Sequence, residues 1–425
     1  MNFSIKTKRV KLIIFCWKSV FHQEPSLGVI RQAERFFLFG TGMMVARFLS
    51  VASQVIMGRK FGPEIYGQIT IILLISSYFA MPIVNGWGLV FTKIAVKEID
   101  VSKKNQALKS LLLVVSVCCI LTTLVLFVLQ SPLADLLDID RRMMRLSLIM
   151  TVCYAWWILT KQIAQGFQNW RAYILIENIW ASIVLSGLLV LAFWGKFNLF
   201  TVSWVFFAGY VVAGLVLVKG LWQSLLVKID KNYIKDILSH GWFLLLNSIV
   251  GTAAFSVDRI MINKALGSQE VGIYQAHFIA TYGMTSAIFT VFITYIFPII
   301  CRNNTNTVSL LEKIAFLQYP ATILFTAATG YFSFSLFSYQ FNSILFIFLV
   351  MFCAIQNHLQ INLWYIASKG IDGGKKTLIS QAVFFLSSTV ILIVILPYCK
   401  TYSGGIALAV SSLITLIFSG EKKGL

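Results

Sequence analysis

The side chains able to do specific chemistry fall into two amide-rich stretches and a few charges set inside apolar runs. The first stretch reads Lys161-Gln162-x-x-Gln165-x-x-Gln168-Asn169, the second Gln356-Asn357-His358-x-Gln360-x-Asn362. On a helix, residues 161, 165 and 168 share one face, and so do 162, 165 and 169. In the second stretch polar groups point nearly all round the helix. Amides donate and accept at once, and Trp156, Trp157, Trp170 and Trp364 lie close by in the chain. That set suits the hydroxyls and ring faces of sugars. As plain structure it would supply hydrogen bonds between helices, about 0.6 kcal/mol each. No His/Asp/Glu constellation accompanies it, so recognition rather than bond making is the chemistry on offer, and no catalytic residue is expected.

The charges are informative through their depth. Arg47 stands eleven residues into an apolar run over 36–57, which puts it about 16 Å along a helix axis and near mid-membrane. A charge there costs about 2.5–3.5 kcal/mol on insertion scales, so Arg47 must face protein or water. Its planar fork either binds an anionic group of a ligand or pairs with an internal carboxylate or helix carbonyls. Glu177 lies about a turn and a half into its own run. It binds a coupling cation, balances a buried arginine, or reaches the membrane interface. Asp258 and Arg259 are adjacent, so on a helix they point about 100° apart and serve either the entrance of a bundle or a ligand. His277 and His358 titrate during transport or stand as satisfied structural groups. The candidate binding set is Arg47, Lys161, Gln165, Glu177, Asp258, Arg259, Asn357, His358 and Gln360.

Composition decides where such residues can sit. Hydrophobic residues make up 58% of the chain and charged ones 12%, with mean hydropathy +0.82, more apolar surface than a soluble domain can bury. The net charge of +19 is spread through short gaps between apolar runs, which matches anionic lipid headgroups and excludes nucleic acid as a partner. Cys16, Cys118, Cys119, Cys153, Cys301, Cys353 and Cys399 show no metal-ligand spacing, so neither a metal nor a cofactor is expected. The N-terminus is basic with a brief apolar patch broken by Lys18 and reads as a surface-lying tail rather than a cleaved signal.

Apolar runs long enough to span a bilayer recur twelve times. Gly62 and Gly67 recur 205 residues later as Gly267 and Gly272, and Gly166 and Arg171 recur 204 residues later as Gly370 and Lys375. The fold class that follows is an all-α polytopic membrane protein of about twelve transmembrane helices, in two pseudo-symmetric six-helix bundles around a central cavity. The divisions are a basic N-terminal segment over 1–35, a bundle over 36–222, a linker over 223–236, a second bundle over 237–419 and a tail over 420–425. The G-x-x-x-x-G loops precede no Lys-Ser/Thr and so are not phosphate loops; their glycines suit tight reversals between spans. Pro82, Pro298, Pro320 and Pro397 are expected to kink their spans. With each basic residue assigned to its nearest gap, 25 of the 35 lie on the face of the N-terminus and 9 opposite, with Arg47 remaining. Both termini are therefore expected in the cytoplasm.

A Gly62-Pro-Glu-x-x-Gly67 loop, a Gln165-Gly-Phe-Gln-Asn-Trp-Arg-Ala-Tyr173 segment and Ser256-Val-Asp-Arg-Ile-Met-Ile-Asn-Lys-Ala-Leu-Gly-Ser-Gln-Glu-Val-Gly-Ile-Tyr274 together resemble the polysaccharide-transporter family. That family holds O-antigen and capsule-repeat flippases and shares a superfamily with multidrug and toxin extrusion transporters and the lipid II flippase. The resemblance implies a V-shaped pair of bundles that carries an undecaprenyl-diphosphate-linked oligosaccharide across the bacterial inner membrane by alternating access. Arg47 would then meet the diphosphate. It further implies, as partners, membrane lipids, a polysaccharide polymerase and a chain-length regulator. Proton, sodium or membrane potential stays open as the driving force. A cation-coupled multidrug exporter is the alternative; it would want an unpaired deep carboxylate. A membrane enzyme would need a large outer loop or a catalytic constellation.

Overall fold

In the computed structural model, residues 27–420 are described apart from 196–197, 219–220, 222–223, 225, 287, 291–292, 294–306 and 369–370. The expected N-terminal segment lies outside the described residues as far as 26. So do Cys16, Pro298, Cys301, Gly370 and the tail after 420.

Every described element is helical, the one form in which a single segment satisfies its own backbone in hydrocarbon. The helices are α1 (Leu27–Lys97), α2 (Val101–Leu137), α3 (Arg141–Gly166), α4 (Trp170–Trp194), α5 (Leu199–Gly214) and α6 (Lys231–Ala254). They are followed by α7 (Val257–Leu266), α8 (Ser268–Phe278), α9 (Thr307–Ser335), α10 (Ser343–Ser368), α11 (Ile371–Cys399) and α12 (Tyr402–Gly420). Short polar residues in the gaps start the helices: the side chains of Asp100, Asp140, Asn169 and Asp230 each accept a backbone N–H of the turn that follows. Asn198 and Thr201 cap α5 reciprocally.

Among the described residues nine helical stretches are long and apolar enough to cross a membrane. The first is two spans in one. At 71 residues α1 would run roughly 105 Å if straight, and it breaks at Gly62, whose φ of 79° and ψ of 167° no helix contains. With the two parts of α1 counted separately there are ten, and α8 and α9 stand at the places of the eighth and ninth expected runs. The seventh expected run is itself interrupted, since α6 ends at Ala254 and the helix restarts at Val257. Pro82, Pro320 and Pro397 lie within helices.

The duplicated glycines are equivalent in conformation as well as in spacing. Gly267, at φ 90° and ψ 170°, separates α7 from α8 as Gly62 divides α1. Left-handed φ with extended ψ is a glycine conformation, so these two positions explain themselves. Gly67 and Gly272 correct the expectation of a longer loop. Both are already helical, and their purpose is close approach. A Cβ on Gly67 would collide with the carbonyl oxygen of Ser268, and one on Gly272 with that of Pro63. Pro63 and Ser268 are themselves 205 residues apart, so one contact is the image of the other. A two-fold relation between the halves thus runs through this crossing, near the face that carries Gly62 and Gly267 (the glycine face). Toward the opposite face Gly86 and Gly241 also pack backbone to backbone, and Lys93 donates to the Ala367 carbonyl at 2.8 Å. The halves touch at both ends and leave a cavity between.

The crossing yields a stability test. Gly67→Val and Gly272→Val force branched side chains against backbone carbonyls that cannot yield, and each should cost about 1–3 kcal/mol. Gly251→Ala, whose added carbon meets Gln381 at an ordinary 3.4 Å, should leave the melting temperature unchanged. Equal melting temperatures for all three purified variants would show that the crossing is not tightly packed.

Candidate functional site

The two amide-rich stretches demand enclosure, and the helices that hold them are enclosed. In the apolar windows of α3 and α10, 61% of residues are buried, against 22% in α2 and 28% in α4 and α11. The two amide-rich helices thus face the interior, and the strongly apolar α2, α4 and α11 face out.

Between the halves lies a cavity of about 360 Å³, whose walls include Asn85, Lys93, Tyr154, Lys161, Gln162 and Gln165 from the first half. The second half contributes Asn247, Ser248, Gln360, Trp364 and Gln381. The Gln162 amide donates to Asn85 at 3.2 Å. Side-chain oxygens of Gln162, Asn247 and Gln381 are buried without a protein partner among the described residues. Unsatisfied acceptors of this kind cost about 1–3 kcal/mol each, a cost that ligand hydroxyls can remove.

The first half carries a charged pole. The Lys161 ammonium donates to Glu177 Oε1 at 2.9 Å and lies 3.3 Å from the centre of the Trp157 ring. Trp157 packs with Tyr154, Trp180 and Tyr210, ring centroids 5.0–5.5 Å away, so apolar faces and a carboxylate surround one ammonium group. Glu177 is 1% exposed. Of the three readings of Glu177 the membrane interface is therefore excluded, and its first partner is a lysine, not an arginine. Arg47 acts on Glu177, Lys161 and Tyr154 through space. Among the described residues Arg47 makes no hydrogen bond or ion pair, and its Nε is buried without a partner. Two cations thus share one carboxylate, and the pole is net positive.

The duplication shows how one-sided this is. At the offsets of 204 and 205, Arg47 corresponds to Thr252, Lys161 to Tyr365 and Glu177 to Gln381. The second half repeats the place of the charges and keeps only neutral groups there. Gln381, absent from the sequence-derived set along with Asn85, Asn247 and Tyr154, was reachable by this offset; the other three had no such signal.

A second chamber of about 300 Å³ shares Tyr154 with the cavity and includes Gln54, Thr70, Thr252, Ser256, Arg259 and Gln275 in its wall. Gln54 pairs with Arg259 and Thr70 with Gln275 at the offset of 205, so the two-fold runs through this chamber as well. Asp258 does not face it in an ionised pair: Oδ1 accepts the Arg259 backbone N–H at 2.8 Å, and Oδ2 accepts the Tyr274 hydroxyl.

The remaining candidates scatter. Asn357 is buried and donates to Thr322 at 3.4 Å, and the His358 ring packs 5.5 Å from that of Tyr319; neither lines the two spaces above. His277 is a satisfied structural group, with Nδ1 against the Ile273 carbonyl and Nε2 accepting the Asn342 N–H. The face expected of 161, 165 and 168 is corrected. Helix α3 ends at Gly166, Gln168 has φ 54° in the turn, and Asn169 caps α4.

The chain was compared with known proteins. Residues 33–304 match the model of a family described as polysaccharide biosynthesis protein. Among curated proteins no sequence matches significantly. A multidrug resistance MATE family transporter of the MOP superfamily, inward-facing, superposes with TM-score 0.67 at 12% identity, over 88% of this chain and 92% of that one. Lipid II flippase MurJ, in an inward closed conformation, gives 0.57 at 12% identity over 90% and 86%. A MOP superfamily transporter from Pyrococcus furiosus, reported to have a binding pocket of reverse polarity, gives 0.66 at 13% identity over 92% and 94%. At these identities the likeness is one of fold.

The buried pair is open to test. Glu177→Gln leaves Lys161 beside Arg47 without a counter-charge and should cost about 3–5 kcal/mol in unfolding free energy. Adding Lys161→Met removes the stranded ammonium and should restore most of the loss, as read by thermal melting of purified protein. Losses that simply add would show that the two groups are not coupled.

Proposed function

The chain belongs to the polysaccharide biosynthesis protein family, and on that basis we propose that it flips an undecaprenyl-diphosphate-linked oligosaccharide, an O-antigen or similar repeat unit, across the bacterial inner membrane by alternating access. A membrane flippase or transporter is what the family and the fold support at the coarser level. The finer reading rests on one observation: the wall of the cavity between the halves divides into cationic groups, Lys93 and Lys161, on the first half alone and neutral amides that continue from the first half onto the second. A lipid diphosphate that carries sugars has that same division. Beside the cavity Arg47, without a hydrogen bond or ion pair among the described residues, supplies a fork for the diphosphate, and Lys161 adds charge in the cavity wall on a side chain already anchored by Glu177. Gln165, Gln360, Asn247 and Gln381, with Trp364, offer hydrogen bonds and a ring face to sugars.

The bundles in this reading are 36–222 and 237–419, joined by 223–236, with both termini cytoplasmic and the glycine face outward. Membrane lipids, a polysaccharide polymerase and a chain-length regulator are its partners. The multidrug exporter is the weaker reading. The carboxylates at or beside the two spaces, Glu177 and Asp258, are engaged by Lys161 and Tyr274, which leaves neither open to a cationic drug.

Cells lacking the protein should accumulate lipid-linked repeat units on the cytoplasmic face and lose surface polysaccharide. Normal polymer together with altered resistance to cationic dyes would favour the exporter. In that deletion strain Arg47→Ala should reach near-normal abundance, because no internal carboxylate is bound to it, yet nearly abolish restoration of the polymer. Arg47→Lys should restore part, since charge remains while the bidentate geometry is lost. Full activity from an abundant Arg47→Ala protein would remove the residue from the mechanism, and a collapse in abundance would return it to structure.

A further inference from the structure

We propose that Arg259 is a second oxyanion site, distinct from the Arg47–Lys161 pole, which receives a phosphate or carboxylate of the transported molecule as it moves toward the glycine face. For the identity of the ligand this rests on the flippase reading; the site itself rests on its own geometry.

Arg259 is 7% exposed, yet the ion pairs among the described residues, Lys103–Glu98 and Lys161–Glu177, do not include it. Its chain neighbour Asp258 is committed to the Arg259 backbone and to Tyr274. The guanidinium is fixed on one side only. Nη1 donates to the Phe255 carbonyl at 2.8 Å, and the group lies 3.9 Å from the centre of the Phe278 ring. Nε and Nη2 are both buried with no partner among the described residues. These two nitrogens form one edge of the guanidinium plane, and their N–H bonds run parallel at the spacing of two oxygens in a phosphate or carboxylate. A structural arginine spends its fork on the protein. This one is anchored by the other nitrogen and by its face, and holds the fork in reserve at the expense of two unmade buried hydrogen bonds.

Its position gives the site a role. Arg259 lines the chamber of about 300 Å³, a size at the lower end of ligand sites, with Gln54, Thr70, Thr252 and Gln275 as neutral partners. Thr70 and Gln275 each follow a crossing glycine, Gly67 or Gly272, by three residues, so the chamber lies directly beneath the crossing. Through Tyr154 it adjoins the central cavity. An anionic group that leaves the first pole therefore meets Arg259 before it meets the glycine face. In this structure the fork is covered. Arg259 has Gln54 as its image in the first half, so the two anion sites come from different halves: Arg47 from the first, Arg259 from the second.

The test uses full-length protein in nanodiscs with inorganic diphosphate and glucuronate as probes. In an Arg47→Gln background, titration calorimetry should detect residual diphosphate binding that Arg259→Gln weakens at least tenfold and Arg259→Lys weakens less. Unchanged binding in a monodisperse Arg259→Gln protein would overturn the proposal. Competition by glucuronate at the Arg259-dependent site would assign it to an acidic sugar, and its absence to the diphosphate of the carrier. Because the probes are free anions, a deletion strain with normal surface polymer would sink the flippase reading and leave this result standing, while loss of this site leaves that reading intact.

Discussion

Hydrocarbon offers a polar group no partner, and that constraint organises the molecule. A charge at mid-membrane costs about 2.5–3.5 kcal/mol and must find protein or water. Helices α3 and α10, rich in amides, are accordingly enclosed, while α2, α4 and α11 turn outward. The amide-rich helices thus lie at the centre of the protein with strongly apolar ones outside them, the reverse of a soluble bundle. The cavity follows from the same constraint. Where the side-chain oxygens of Gln162, Asn247 and Gln381 lack partners among the described residues, the space between the halves is where their hydrogen bonds are to be made.

A duplicated chain would by default place equal chemistry on both sides of such a cavity. The backbone keeps the duplication closely, as the matched φ and ψ of Gly62 and Gly267 and the exchanged contacts of Gly67 and Gly272 show. The side chains depart from it. Arg47, Lys161 and Glu177 have Thr252, Tyr365 and Gln381 at the equivalent positions of the second half, and in the chamber Arg259 has Gln54 as its counterpart. Symmetry of the scaffold and asymmetry of the charge are two separate requirements. Those two requirements fall on different atoms, glycine backbone for the first and polar side chains for the second, so each could change without loss of the other.

Much was legible before any coordinates. Membrane class, twelve spans and two halves follow from hydropathy and from one repeated offset, because the bilayer fixes span length and leaves the backbone few alternatives. A tight reversal at Gly62 was readable from the glycine itself, the residue that best tolerates positive φ, although its confinement to that one residue was not.

What only the tertiary structure decided is which polar groups meet. Lys161 and Glu177 are 16 residues apart on different helices, and nothing in their spacing announces a 2.9 Å pair. Nor does spacing reveal that Arg259 keeps its Nε–Nη2 edge unpartnered while the adjacent Asp258 turns to Tyr274. Helical periodicity also carried Gln168 and Asn169 onto a face that ends at Gly166, where the backbone turns instead. The sequence by itself determined the environment each side chain must occupy, through costs that act on one residue at a time. Partners depend on how helices rotate and cross, and those are set by the summed packing of all twelve, a quantity that no local pattern holds.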